Sequence, residues 1–315
     1  MPMYSRRSFL KGAAVIGSGA AMLGFGSSGQ AAPEPHIHFP SEARARLSVT
    51  PWPFRAYIES PTNHDRNPKL PGMGLTDFAA MVAEKFDVHN INPLSWMFRS
   101  TDSTYLAAFR KSVSTAGSHI VGLGLAGGNF YNPDPAIRKT SVTRAKKWID
   151  IAVEIGSPSV RPAIDAPHRV KPDVDYCARS FGALAEYGAR RNIVVNMEND
   201  DPYTQDPFFT VAVIKKVDNP YLRALPDFGN SAVKGADFNA RALTVMFAHA
   251  YNMTHVKNAV SGEHGRVFKV DMDRIFGIAK ASGYRGWYSM EYDTDFGDPY
   301  AGTRELVRQT LAHLA

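Results

Sequence analysis

The sequence has one cysteine, Cys177, among 315 residues, and this excludes an internal disulfide bond. Cys177 lies between Tyr176 and Ala178 in a stretch of helical period, so we interpret it as a core residue and not as a nucleophile. The chain also lacks a lysine and arginine run with interleaved aromatic residues, the pattern that follows a nucleic-acid backbone. We therefore expect no nucleic-acid partner.

Residues 1–32 have the pattern of a twin-arginine signal peptide. Arg6 and Arg7 precede Lys11 and an apolar, glycine-rich run at 12–26 that is short for a membrane span. A membrane anchor or a disordered tail is the alternative interpretation. Because twin-arginine export carries folded proteins, we expect the export machinery as a partner and a periplasmic or secreted location.

The remaining chain is only mildly basic. The formal net charge of +6 includes Arg6, Arg7 and Lys11, and no acidic residue precedes position 33, so the rest of the chain carries +3. With 44% hydrophobic and 21% charged residues, the chain can bury a large core, either as a single barrel or as two domains.

Short apolar runs alternate with longer segments of helical period after a polar linker at 33–46. The predicted strands are 47–50, 86–91, 120–125, 159–163, 193–197, 222–225, 253–256 and 286–290. The predicted helices are 75–86, 103–116, 141–155, 174–190, 207–217, 239–250, 272–282 and 304–314. Eight strand and helix pairs without a composition break predict an α/β fold, a single (β/α)8 TIM barrel over 47–315. A doubly wound open sheet is the alternative, but no GxGxxG turn follows the first strand.

Four side chains that can bind a metal stand at the ends of the last four predicted strands: Glu198, Asp227, His255 and Glu291. In a parallel barrel these strand ends meet at one face, so we expect the four side chains to surround one point. Three carboxylates and an imidazole suit one divalent ion, Mn²⁺, Mg²⁺ or Co²⁺, with Zn²⁺ as a further option. Taken singly, two of these residues have another interpretation. Glu198 could pair with a lysine or arginine of the barrel, and His255 could be a buried core histidine.

The four segments around these residues resemble the sugar phosphate isomerase/epimerase branch of the xylose isomerase-like barrels. They are Met197-Glu198-Asn199, Asp227-Phe228-Gly229-Asn230, His255-Val256-Lys257-Asn258 and Met290-Glu291-Tyr292. The resemblance implies a divalent metal held by the four side chains and an isomerase, epimerase or lyase that acts beside a sugar carbonyl. It also implies that Glu198 and Glu291 exchange the proton.

The chain departs from that family at Asn230, because the epimerases commonly carry a histidine shortly after the aspartate. An asparagine can hold a hydroxyl group but cannot relay a proton at neutral pH. Nor does any segment resemble a phosphate cradle. Lys257, two residues after His255, points into the predicted barrel mouth, where it either stabilises an enolate or pairs with one of the acids.

Several further residues are candidates for substrate binding. Arg161 suits a hydroxyl or carboxylate of the substrate, although a structural ion pair within the barrel is the alternative. Trp52 and Trp96 follow the first two strands and are placed to stack on a sugar ring or to pack the loops. The remaining candidates are Asn199, Asn230, His89, Asn92 and His264.

The sequence thus predicts a metal-dependent isomerase or epimerase that moves a proton next to the carbonyl of a sugar or sugar derivative. If a group on the next carbon leaves, the same residues make a lyase acting on oxidised (3-keto) glycosides. A metal-free glycosidase would need only Glu198 and Glu291, and a sugar-binding protein without catalysis is a further alternative. DNA cleavage ranks lower, because the endonucleases of this superfamily use more metal ligands. Monomer and homo-oligomer both stay open.

Overall fold

Parallel strands and helices alternate along the chain in the computed structural model, which describes residues 33–165, 170–201 and 205–315. The predicted signal peptide lies outside these residues. The strands are β1 (Leu47–Val49), β2 (Asn90–Ile91), β3 (His119–Ile120), β4 (Leu123–Gly128), β5 (Ser159–Ile164), β6 (Val194–Glu198), β7 (Leu222–Leu225), β8 (Met253–Val256), β9 (Ala259–Ser261), β10 (Val267–Lys269) and β11 (Trp287–Met290). The helices are α1 (Leu75–Phe86), α2 (Ser103–Thr115), α3 (Pro135–Ile155), α4 (Val174–Ala189), α5 (Pro207–Val217), α6 (Ala236–Phe247), α7 (Met272–Ala281) and α8 (Pro299–Leu314).

The strands close into a barrel through two runs of hydrogen-bonded neighbours. One run has the order β3-β2-β1-β11-β8 and the other β4-β5-β6-β7, and every pairing in both is parallel. Single parallel bridges join the runs: Leu94 to Gly124 on one side, and Ala224 to Ala250 with Asp227 to His255 on the other. β3 and β4 serve together as one barrel strand, so the predicted (β/α)8 barrel is confirmed.

Amphipathic helices cover the barrel. In α1 the buried residues are Leu75, Phe78, Ala79, Val82 and Phe86, which recur at helical spacing and face the strands. All residues of β6, β8 and β11 are buried, because one side of each strand faces the helices and the other faces the barrel interior. Cys177 in α4 is fully buried, in agreement with a core position.

Three helices begin at a proline that follows an aspartate. The carboxylates of Asp134, Asp206 and Asp298 accept hydrogen bonds from backbone N–H groups in the first turns of α3, α5 and α8. Proline suits the first helical position because it has no N–H to leave unpaired. For this reason α3 and α8 begin earlier than the predicted starts at 141 and 304.

Two further features lie at opposite ends of the barrel. The antiparallel hairpin of β9 and β10 follows β8 on the side where the strands end. At the other end, the backbone of His36 exchanges two hydrogen bonds with the side chain of Asn192, and Phe39 packs on Tyr251 and Trp287. Among the described residues, no helix is both long and apolar enough to cross a membrane.

Candidate metal centre

The four strand-end residues meet at one buried point. Glu198 is the last residue of β6, His255 lies in β8, Glu291 directly follows β11, and Asp227 lies two residues after β7. They are 1%, 1%, 8% and 0% exposed, respectively. One ligand atom of each lies within 4.8 Å of the others.

His255 stands between the two glutamates. Its Nδ1 lies 2.7 Å from Oε1 of Glu198 and 3.0 Å from Oε2 of Glu291. Burial alone would lower the pKa of His255, but the charges of Glu198 and Glu291 outweigh that effect and raise it to about 10. Without a metal, the imidazole is therefore held as a cation between two carboxylates.

Asp227 has one oxygen fixed and one left over. Oδ1 accepts hydrogen bonds from the backbone N–H groups of Gly229 (2.8 Å) and Asn230 (2.7 Å). Oδ2 is buried and makes no hydrogen bond within the described part of the chain, although Nζ of Lys257 lies 3.4 Å away. Burial raises the pKa of Asp227 to about 6, against the opposing charge of Lys257. A buried carboxylate oxygen in this state is suited to bind a cation.

Arg161 and Lys257 each pair with one glutamate. Nε of Arg161, within β5, lies 2.9 Å from Oε2 of Glu198, and Nζ of Lys257 lies 3.0 Å from Oε1 of Glu291. Burial would raise the pKa of both glutamates, but Arg161 beside Glu198 and Lys257 beside Glu291 lower it. Burial would lower the pKa of Lys257, yet Asp227 and Glu291 raise it, so the lysine stays charged.

This arrangement fits a divalent metal ion. The donors are three carboxylates and one imidazole nitrogen, close enough together to share one ion, and two carboxylate oxygens, Oε2 of Glu198 and Oδ2 of Asp227, are buried without a hydrogen bond to any described residue. Such a mainly oxygen set is typical of sites for Mg²⁺ or Mn²⁺. Glu198, Asp227, His255 and Glu291 are therefore the residues that would hold it.

Two asparagines support the ligands from outside. The side chain of Asn199 donates to the carbonyl oxygen of Asp227 (3.1 Å) and accepts from its N–H (2.7 Å), which fixes the backbone at that ligand. Nδ2 of Asn92 lies 2.9 Å from Nε2 of His255, the ring nitrogen that faces away from the carboxylates. Asn199, a predicted substrate contact, is thus placed behind the site, and Asn92 touches a ligand.

A cavity of about 420 Å³ opens next to the four residues, within the range of small-molecule sites. Of the predicted substrate-binding residues, the cavity wall includes Trp52, Trp96, Arg161 and Asn230, and also Lys257 and Glu291. Nζ of Lys257 donates a 2.8 Å hydrogen bond to Oδ1 of Asn230. These side chains are therefore brought together.

Two other predicted residues lie neither at this cavity nor beside the four ligand-type residues. His89 precedes β2 and lines a different cavity together with His38 and His119, because the strand starts at Asn90 and not at Phe86. His264 is exposed in the turn between β9 and β10, with a left-handed φ of 59°.

The sequence analysis did not single out four charged residues of the cavity wall: Arg55, Asp200, Asp293 and Asp295. Asp200 pairs with Arg161 at 3.2 Å, and it follows Glu198 by two residues, which is the signal that would have found it. Asp293 likewise follows Glu291 by two residues. In a parallel barrel the loop directly after a strand lines the mouth, so both acids were accessible to the same reasoning.

Comparison with known proteins agrees with this geometry. The profile of a family described as xylose isomerase-like TIM barrel matches residues 73–315. No curated protein sequence matches the chain.

Several solved structures are similar in fold at low sequence identity. D-Psicose 3-epimerase from Clostridium cellulolyticum H10, solved with D-tagatose, is 15% identical with a TM-score of 0.64, over 85% of this chain and 96% of that one. 3-Keto-D-glucoside 4-epimerase from E. coli is 13% identical with a TM-score of 0.61, over 84% and 98%. A barrel protein from Mycobacterium smegmatis in complex with magnesium is 17% identical with a TM-score of 0.62, over 86% and 98%.

Proposed function

This chain belongs to the xylose isomerase-like TIM barrel family, and on that basis we propose that it is a metal-dependent enzyme acting on a sugar. The proposed reaction is isomerisation or epimerisation by proton transfer next to the carbonyl of a sugar or sugar derivative. The similar structures include epimerases of D-psicose and of a 3-keto-D-glucoside, which supports a carbohydrate substrate.

One observation carries the proposal: four buried ligand-type side chains converge at one point, and one of them, Glu291, lies in the wall of a cavity together with Arg161 and Lys257. When bound there, a divalent metal would hold adjacent substrate oxygens and stabilise negative charge on them. A metal-free glycosidase would leave Asp227 and His255 without a role in its chemistry.

Glu291 is the proposed base. It belongs to the cavity wall, whereas Glu198 is not among the described residues that line the cavity. The lowered pKa of Glu291 keeps its carboxylate ionised, which is the form that accepts a proton from the carbon next to the carbonyl. Lys257, 3.0 Å from Glu291, would donate a hydrogen bond to the substrate oxygen that gains negative charge. Glu198 is the proposed second residue, which returns the proton in an epimerisation.

The cavity suits a neutral sugar better than a phosphorylated one. Its charged residues are of both signs: Arg55, Arg161 and Lys257 against Asp200, Glu291, Asp293 and Asp295. Arg161 and Lys257 are paired with carboxylates that offset their charge, and the four acids of the wall outnumber its three cations, so the cavity has no excess positive charge to attract a phosphate.

A combined metal and isotope experiment tests this function. The purified protein should contain about one divalent ion per chain and should incorporate solvent deuterium into a substrate from a panel of ketoses and 3-keto glycosides. His255→Ala should lose the metal, and Glu291→Gln should lose the exchange. Glu305→Gln, on the outer helix α8, is the matched control and should keep both. A metal-free protein that cleaves unoxidised glycosides would overturn the proposal.

A lyase acting on oxidised glycosides is the second candidate. It is favoured because only one of the two glutamates, Glu291, lines the cavity. Oε1 of Glu198 lies 2.7 Å from Nδ1 of His255, and Oε2 lies 2.9 Å from Nε of Arg161. In this reaction Glu291 takes the proton next to the carbonyl, the carbon–hydrogen electrons form a double bond, and the group on the next carbon leaves as an alkoxide that then takes up a proton. Release of an alcohol from a 3-keto glycoside would identify the lyase, and deuterated recovered sugar would identify the epimerase.

We also propose export of the folded protein by the twin-arginine route, on the basis of Arg6 and Arg7. Replacing both arginines by lysine should leave the full-length protein inside the cell in a fractionation experiment. Continued export of that variant would contradict this route.

A further inference from the structure

We propose that the mouth of the cavity contains a second sugar subsite, built on Trp52, Arg55 and Trp96, for the ring attached to the reacting sugar. The inference rests on the proposed function, and it narrows the substrate from any sugar or sugar derivative to a glycoside. The reacting ring would lie at Glu291 and Lys257, and the attached ring would stack at the outer wall.

Trp52 is an exposed aromatic residue on a rigid support. It remains 36% exposed, although the short helix that contains it is anchored by Phe54, which is fully buried. Phe54 packs against Phe78 and Tyr300, with ring centroids 5.9 Å and 5.0 Å away. An exposed indole held in this way offers an apolar surface to a ligand without losing conformational freedom on binding.

Arg55 and Trp96 fix the orientation of the Trp52 ring. The Arg55 guanidinium lies 4.3 Å from the ring centroid and donates a 3.0 Å hydrogen bond to the Trp52 carbonyl oxygen. The Trp96 ring meets that of Trp52 edge to face, at 6.2 Å and 85°. All three side chains belong to the cavity wall.

The loop after Arg55 ties the two tryptophan segments together. Thr62 and Ser60 donate hydrogen bonds of 2.7 Å and 3.0 Å to the carbonyl oxygen of Trp96. The buried side chain of Asn63 donates to the carbonyl oxygens of Arg55 and Ile58, at 2.8 Å and 2.6 Å. The aromatic surface is therefore formed before any ligand binds.

The same cavity wall contains acids that do not belong to the metal centre. Asp200 is 41% exposed at its side chain, and Asp295 is exposed in the loop after β11. Carboxylates accept hydrogen bonds from hydroxyl groups, and an indole packs against the C–H face of a ring. An aromatic surface together with acids matches a neutral, hydroxyl-rich ring and disfavours an anionic group.

Binding of unoxidised sugars tests the subsite separately from catalysis. Calorimetric titration with cellobiose, maltose and sucrose should show binding to one of them that is tighter than the binding of glucose. Trp52→Ala should weaken that binding by about tenfold, and Asp295→Asn should weaken it as well without touching the aromatic support. Phe208→Ala, an exposed aromatic residue on α5, is the control and should bind as the wild type does.

Turnover provides the second test. Compared with the wild type, Trp52→Ala should raise the KM for a 3-keto disaccharide at least threefold more than the KM for the 3-keto methyl glycoside, with little change in kcat. Equal effects on both substrates would overturn the subsite and leave the proposed function intact. Disaccharide binding that depends on Trp52, without turnover of any substrate, would support the subsite and overturn the proposed function. Equal binding of glucose and of all three disaccharides would overturn the subsite.

Discussion

The side-chain amide of Asn92, which directly follows β2, lies 2.9 Å from Nε2 of His255. It contacts the side of the imidazole that faces away from the carboxylates. An amide offers either a donor or an acceptor, so it can pair with the ring nitrogen in either protonation state. Asn92 therefore fixes the orientation of the ring while Nδ1 faces the proposed metal position. Both side chains are buried, and water does not compete for this contact.

Asn92→Ala should weaken metal binding by about 10- to 100-fold, because the imidazole loses the partner that orients it. Titration of the metal-free protein with Mn²⁺ measures the effect. Asn90→Ala is the matched control, since Asn90 is buried in β2, two residues before Asn92, and donates to the carbonyl oxygens of Ala45 and Leu47. The control should lower stability and leave the metal affinity unchanged. Equal metal affinity in both variants would contradict the role of Asn92.

Arg161→Met should destabilise the metal-free protein by about 3–5 kcal/mol, because it leaves the Glu198 carboxylate buried without its cation. Urea unfolding in the presence of a chelator measures the change. Arg191→Met removes a partly exposed arginine that pairs with Asp150 at 2.7 Å, and should cost less than about 1 kcal/mol. If the two variants lose similar amounts, Arg161 does not compensate a buried charge.

Gly229→Ala should displace Lys257 and the hairpin of β9 and β10. A Cβ at this position would lie 2.5 Å from Cγ1 of Val260 and 3.1 Å from Cβ of Lys257. We expect a loss of about 1–3 kcal/mol in unfolding free energy, together with reduced turnover. Gly277→Ala in α7 meets nothing within 4 Å, and should stabilise the protein by up to about 1 kcal/mol. Thermal unfolding measures the stability of both variants. Equal stability of Gly229→Ala and Gly277→Ala would refute the steric argument.

Metal binding should raise the unfolding free energy by about 2.7 kcal/mol when free Mn²⁺ is at 100 times its dissociation constant. Thermal unfolding with and without the ion would show this as an upward shift in Tm. His255→Ala removes one of the four ligands, and its Tm should respond far less to the same concentration of Mn²⁺. An unchanged Tm in the wild type would argue against a site for this ion.

The barrel and its four strand-end residues were predictable because both depend on local patterns. Strands of four to six apolar residues recur between helical segments, and in a parallel barrel the ends of the strands must meet. The starts of α3 at Pro135 and α8 at Pro299 also follow from a local pattern, because an aspartate directly before a proline is a typical helix start.

Other parts of the site depend on contacts that no local pattern contains. Asn92 and His255 are 163 residues apart in sequence, and only the closed barrel brings them together. The placement of His89 failed for a different reason: residues 86 and 87 end α1, where Asp87 takes a left-handed conformation, and so they do not begin a strand. An apolar run of this kind is compatible with a helix end or with a strand.

Few backbone hydrogen bonds join β7 to β8, because Pro226 has no N–H to donate there. Two isolated β-bridges connect these strands in place of continuous parallel pairing. Glu198 and Asp227 lie on one side of the junction between β7 and β8, and His255 and Glu291 lie on the other. An ion shared by these four residues would cross-link the barrel where its backbone pairing is sparse. The amides of β7 and β8 should then exchange with solvent faster in the metal-free protein, and removal of the ion would open the barrel at this junction first.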